Sequence, residues 1–232
     1  LSNNSGEVSI EGETNIIANL GDPTCEKVHR GIALDACKYS SYAAPIVTVN
    51  TTGEIKGIVE VSATLNLNAI SEGSNINVEL TGNGQLYNKV DVKGSMTKKV
   101  EGTTEGWGTI SSPVGTVEIK DVEGLLTANN SHDFYRYNEA EMLWENIEVH
   151  TGTDFTTLEE GRGYLYANTV DTDVVFEGTF KADNQVQLTL GYTTENTLAG
   201  FHFVGNPFTH NITEKHFSAT DATKLATGFY AV

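Results

Sequence analysis

The stretch VEVSATLNLNAI, residues 59–70, sets the strongest limit on how this chain folds. Val59, Val61, Ala63, Leu65, Leu67 and Ala69 fall at every second position, with Glu60, Ser62, Thr64, Asn66 and Asn68 between them. A period of two puts one set on each side of an extended backbone, whereas a helix would scatter both sets around its surface. The reading is a half-buried strand, and similar runs surround it: PIVTVN before, then NINVELTGNGQLY and KVDVKGSMTKKV. Turn signals at SEGSN and TGNGQ cut the region into strands of similar length. Two arrangements fit: a short β-solenoid in which successive strands stack as coils, or an antiparallel hairpin ladder. The segment GDPTCEKVHRGIALDACKYSSYAAP interrupts the alternation and reads as a long loop or as a short helix around HRGIALDACK.

Residues 100–106, VEGTTEG, are rich in glycine, threonine and charge and mark the expected domain boundary. The chain divides into a strand-repetitive β region with a cysteine-containing loop, 1–102, and a second domain, 103–232. After the boundary come short strand candidates: WGTISSP, TVEIKDV, DFYRYNE, MLWENIEV, RGYLYANT, DVVFEGTF, QVQLTLGYT, GFHFVGNP and GFYAV. Short strands every eight to twelve residues, separated by Gly, Asn and Asp, predict an antiparallel β-sandwich of jelly-roll type, so the whole chain is expected to be all-β. GFHFVGNPF reads as a core strand carrying Phe201 and Phe203 on one face and stopped by Asn206-Pro207, because Pro207 has no N–H to offer a ladder. GWGTISSPVG follows the same plan with Pro113.

Charge narrows the partners. With 14 Lys plus Arg against 31 Asp plus Glu, the formal net charge is -17. Nucleic acid and anionic membranes require a basic stripe, and Lys93, Lys98 and Lys99 are too few to make one. No run of 18 apolar residues is present to span a bilayer as a helix. The opening LSNNSGEVSIEG has neither a basic nor an apolar segment of the kind a signal peptide needs, so any such peptide is expected to be already removed. Cys25 and Cys37 stand without a CxxC or a His cluster; they form a loop-closing disulfide or remain two free thiols.

The series GWGTISSPVG, DFYRYNEAEMLWENIE, LEEGRGYLYAN, VVFEGTF and LAGFHFVGNPF, preceded by QLYNKVDVKGSMTKKV, resembles the C-terminal region of large secreted and cell-surface β-rich proteins of Bacteroidetes. The resemblance covers about residue 83 to the end. It implies a secreted or surface-attached, adhesin-like binding accessory, and it transfers no catalytic residues. Relatives of this kind continue beyond the position matching GFYAV, so the last sheet is expected to be incomplete or trimmed here.

Three functions follow as candidates. The first is non-catalytic adhesion or carbohydrate binding, with a glycan or a host or cell-surface protein as partner. Sugar rings stack their C–H faces on aromatic rings, so Tyr135, Tyr137, Trp144, Tyr164 and Tyr166 are the candidate platform, and Phe134 and Arg136 are expected on the opposite side of their strand from Tyr135 and Tyr137. The second is a secreted glycan-active enzyme. Glu139, Glu141, Glu145 and Glu148 cluster, but most are expected to be solvated, and no GxSxG, HExxH or SxxK motif appears. The third is a self-assembling surface subunit that pairs through an open strand edge. Calcium is the one cofactor considered, with Asp171, Asp173 and Asp183 as oxygen donors in turn-rich segments.

Overall fold

The computed structural model describes residues 2–3, 7–14, 16–17, 30–34, 46–102, 106–126, 132–149, 155–182, 185–194 and 197–219. It is all-β, with several sheets and none of them closed. Cys25, Cys37, Asp183 and the terminal GFYAV lie outside the described residues.

The first ten strands are β1 (Ser2–Asn3), β2 (Glu7–Gly12), β3 (Ile16–Ile17), β4 (Arg30–Leu34), β5 (Ile46–Thr51), β6 (Ile55–Val61), β7 (Thr64–Ala69), β8 (Asn75–Leu80), β9 (Gln85–Asn88) and β10 (Val92–Val100). From β4 onward they alternate between two sheets. β4, β6, β8 and β10 line up in one, and β2, β5, β7 and β9 make the other. Every ladder formed among these ten strands in the described residues is parallel. A hairpin ladder would make them antiparallel, so that alternative falls. The expected helix around HRGIALDACK also falls: Arg30–Leu34 is a strand paired with β6. A neighbouring strand satisfies its backbone groups, and that outweighs weak helical propensity.

VEVSATLNLNAI is two strands rather than one. The chain turns at Ser62-Ala63 and passes from one sheet to the other. Val59, Val61, Ala63, Leu65 and Leu67 are nevertheless all buried, because both sheets face one interior. Stacked positions form columns: Ile10, Val49 and Leu67 lie on adjacent strands in register, and Val59 lies beside Val78. Each column continues into the last pair of strands with a changed residue. Asn88 follows Leu67, and Gly94 follows Val78.

Both changes admit the strand β17 (Thr172–Phe180), which runs antiparallel to β10 along nine residue pairs. The Phe180 ring occupies the space a side chain at Gly94 would need. Asn88 Nδ2 donates to the carbonyls of Val90, Phe180 and Lys181, at 2.8–3.2 Å. The outer edge of β9 is met by Thr209: the Leu86 N–H donates to its carbonyl at 3.1 Å, and its hydroxyl donates to the Leu86 carbonyl at 2.7 Å. Residues from the C-terminal half therefore close both sheets at this end.

The remaining strands are β11 (Gly108–Ile110), β12 (Val117–Glu118), β13 (His132–Asn138), β14 (Leu143–Asn146), β15 (Thr157–Leu158) and β16 (Tyr164–Asn168). They make a four-stranded antiparallel sheet, β11-β16-β13-β14, and the two-stranded ladder β12-β15. One face of the four-stranded sheet presents Ile110, Phe134, Tyr164 and Tyr166 to a second apolar core, which also holds Leu125, Phe155, Leu158, Val174 and Phe176. β17 serves both cores, giving Val174 and Phe176 to this one and Phe180 to the other, while Val114 packs against both. The ladder between β10 and β17 joins residues on either side of position 102.

The expectation for GFHFVGNPF is overturned. Apart from one bridge between Val204 and Arg162, residues 200–208 are irregular, and Phe201 keeps 41% of its surface. GWGTISSPVG keeps only part of the expected plan: a short strand, β11, ends before Pro113, but it is an outer strand and Trp107 stays exposed.

Candidate functional site

The outer face of the four-stranded sheet is built by the register of its strands. Asp133 lies opposite Ala167 and Tyr135 opposite Leu165, while Tyr135 also faces Asn146 and Tyr137 faces Trp144. Gly108 faces Tyr166, so Trp107, one residue before the ladder, comes level with Ala167 and Asp133. The small Ala167 side chain leaves room for the Trp107 indole to meet Tyr135 edge to face, with ring centres 5.4 Å apart. Trp144 lies against Tyr137 at 5.3 Å.

Two tryptophans consequently stand open on one face: Trp107 keeps 52% of its surface and Trp144 keeps 37%. Tyr135 is half-buried between them. Tyr137 is buried under Trp144 and Phe201, and its hydroxyl has no hydrogen-bond partner among the described residues. Tyr164 and Tyr166, at 1% and 0% exposure, point to the opposite side. They belong to the core and not to a platform, because strand alternation that exposes Leu165 turns its two neighbours inward. The Tyr166 hydroxyl donates to the Leu125 carbonyl at 2.9 Å and the Tyr164 hydroxyl accepts the Glu159 amide at 2.8 Å. Burial pushes both phenols above their ordinary value. The expected split of β13 is seen: Phe134 and Arg136 face the core side, where the Arg136 guanidinium lies 4.8 Å over the Phe155 ring.

The acidic cluster is less solvated than its sequence suggests. Glu145 is buried, paired with Arg136 and accepting from Asn138 Nδ2 at 2.7 Å. Glu139, 8% exposed, accepts the Gly200 amide at 2.8 Å, the Thr193 amide at 2.9 Å and the Thr193 hydroxyl at 2.8 Å. Those donors, the Gly200 amide foremost, hold its carboxyl below the ordinary glutamate range. Through Glu139 the irregular residues 191–194 and 197–204 are fastened beside the sheet. There Phe201 meets Tyr137 at 5.9 Å and Phe203 meets Trp144 at 5.4 Å. Phe203 also sits over Gly163, where an added Cβ would come within 2.8 Å of its ring.

Of the calcium candidates within the described residues, Asp171 accepts the Gly102 amide at 2.9 Å and stands 3.8 Å from Lys99, while Asp173 lies opposite Lys99 in the β10–β17 ladder. Among the described residues, no group of three His, Cys, Asp or Glu side chains is arranged to hold a metal ion. A cleft of about 340 Å³ lies between Asp91, Glu160, Lys181, Gln187 and Phe208. Its Asp91 is occupied by Lys181 at 2.8 Å and by the Ala182 amide at 2.8 Å, and this pairing lowers its pKa.

Sequence reasoning missed Trp107, which shares this exposed face with Trp144; parity alone could have placed it there, two residues before Thr109 on the same side of the extended chain. Among the described residues no helix is long and apolar enough to cross a membrane. No family model, curated protein or solved structure matches this chain.

Proposed function

We propose that this chain is a non-catalytic carbohydrate-binding module of an extracellular, surface-attached protein, with the outer face of the four-stranded sheet as its binding surface. One observation carries the reading: two tryptophans and a tyrosine share a sheet face on which both indoles keep large solvent-exposed areas. Exposed indoles are costly in water and well suited to the C–H faces of pyranose rings, while Asp133 and Asn146 on the same face are suited to hydroxyl groups. The resemblance to Bacteroidetes surface proteins supports the location. We read the parallel strands as a short β-solenoid that carries a sandwich-like binding unit, which fits that setting.

A glycan-active enzyme is the alternative. It would draw on the cleft that holds Asp91 and Glu160, but the ion pair of Asp91 with Lys181 leaves that carboxylate poorly placed to act as an acid. A self-assembling subunit would use β2, whose only partner among the described strands is β5.

The test is binding of the protein to a panel of immobilised polysaccharides, followed by calorimetry on those retained. Trp107→Ala is expected to lower affinity about tenfold, the loss of one stacking ring, with an unchanged melting temperature. Retention of full affinity by both Trp107→Ala and Trp144→Ala would remove this face from the function.

A further inference from the structure

We infer that the ligand of this face is the interior of a linear, neutral polysaccharide lying diagonally across the sheet from Trp107 over Tyr135 to Trp144; this rests on the carbohydrate-binding reading above. Strand register fixes the diagonal. Trp107 precedes β11 level with Asp133, Tyr135 is on β13 two residues further along, and Trp144 is on β14 level with Tyr137. The sheet order is β11-β16-β13-β14. The row therefore crosses three strand spacings, about 14 Å, and four residue steps, about 13 Å, a span of roughly 19 Å. On a straight line between the two tryptophans, Tyr135 falls close to the path. Such a length exceeds a disaccharide and suits a chain.

Among the described residues the ends of the row are open: β11 and β14 are the two outer strands of the sheet, so the row runs from one edge to the other, and a longer chain can overhang both edges. A chain terminus would call for a closed pocket instead. The two flanks differ. Asp133 and Asn146 lie on one side, Asn146 accepting the Glu148 amide at 2.8 Å. Leu165 and Phe203, the latter over Gly163, lie on the other. A ribbon-like glycan would meet Asp133 and Asn146 with the hydroxyls of one edge.

Neutrality follows from charge. Among the described residues the ring-bearing face presents Asp133 and no basic side chain, and the nearby Lys98 ammonium donates to the Thr109 carbonyl at 2.5 Å. With a net charge of -17, a uronate chain would be repelled.

The experiment titrates the full chain with glucose, xylose and mannose, with cello-, xylo- and manno-oligosaccharides of two to six units, and with hexagalacturonate. In at least one neutral series, affinity is expected to rise about tenfold or more from dimer to hexamer as further rings engage. Trp107→Ala and Trp144→Ala should each flatten that rise, and Trp107→Phe should restore part of it. Asp133→Ala should weaken every length by a similar factor. A monosaccharide bound as tightly as its hexamer, or hexagalacturonate bound more tightly than every neutral probe, would overturn the linear neutral chain while leaving carbohydrate binding in place. Binding of none of the probes, with the fold intact by circular dichroism, would defeat both readings.

Discussion

At the scale of single residues, Glu139 shows how one side chain fixes a segment that has no ladder of its own. Three donors from Thr193 and Gly200 converge on its carboxylate, and they stabilise the ionised form. Its folded pKa is depressed, so its contribution to stability is present above the ordinary glutamate value of 4.5 and is lost as pH falls through the lower folded value. We therefore expect residues 191–194 and 197–204 to loosen first on acidification, with Trp144 fluorescence changing before the global transition. Glu139→Gln should loosen the segment at neutral pH and remove that early acid phase. An early phase that persists in Glu139→Gln would point to another group.

At the scale of elements, the paired irregularities Asn88 and Gly94 make room for β17. A Cβ at position 94 would overlap the Val78 carbonyl oxygen and the Phe180 ring, and neither can withdraw freely. Gly94→Ala is expected to destabilise the protein by about 1–3 kcal/mol, measured by urea denaturation. Phe180→Ala, which empties a fully buried position, should cost about 3–5 kcal/mol, and the two changes together should cost less than their sum because the smaller side chain at 180 relieves the clash.

Much at this scale was legible in the sequence. The parity of Val59, Val61, Ala63, Leu65, Leu67 and Ala69 named a set of which all but the partly buried Ala69 are buried, even though the strand breaks at Ser62-Ala63, because side-chain alternation is local. Strand direction was not legible, since a period of two is the same in parallel and antiparallel ladders. Nor was the state of Phe201 and Phe203: a strand pattern needs a neighbour to pair with, and residues 200–208 find only the single bridge at Arg162. For the platform, alternation separated Tyr135 and Tyr137 from Phe134, but it could not say which face was inside; that depended on β17 and Phe155 covering one side.

For the whole molecule, the sharing of β17 and Val114 between two apolar cores predicts joint behaviour. Thermal unfolding followed by tryptophan fluorescence, which reports on the aromatic sheet, and by far-ultraviolet dichroism, which reports on all strands, should give coincident transitions. Two separated transitions would mean that the cores melt independently. Loss of the Thr209 hydroxyl in Thr209→Val removes one bond to the Leu86 carbonyl and is expected to cost about 1 kcal/mol. The way Phe180 and Asn88 terminate the stacked columns also makes growth of the stack one-way. An evolutionary duplication that added another pair of parallel strands would have to be spliced in before Leu86, because the places beside β9 and β10 are already taken by Thr209 and β17.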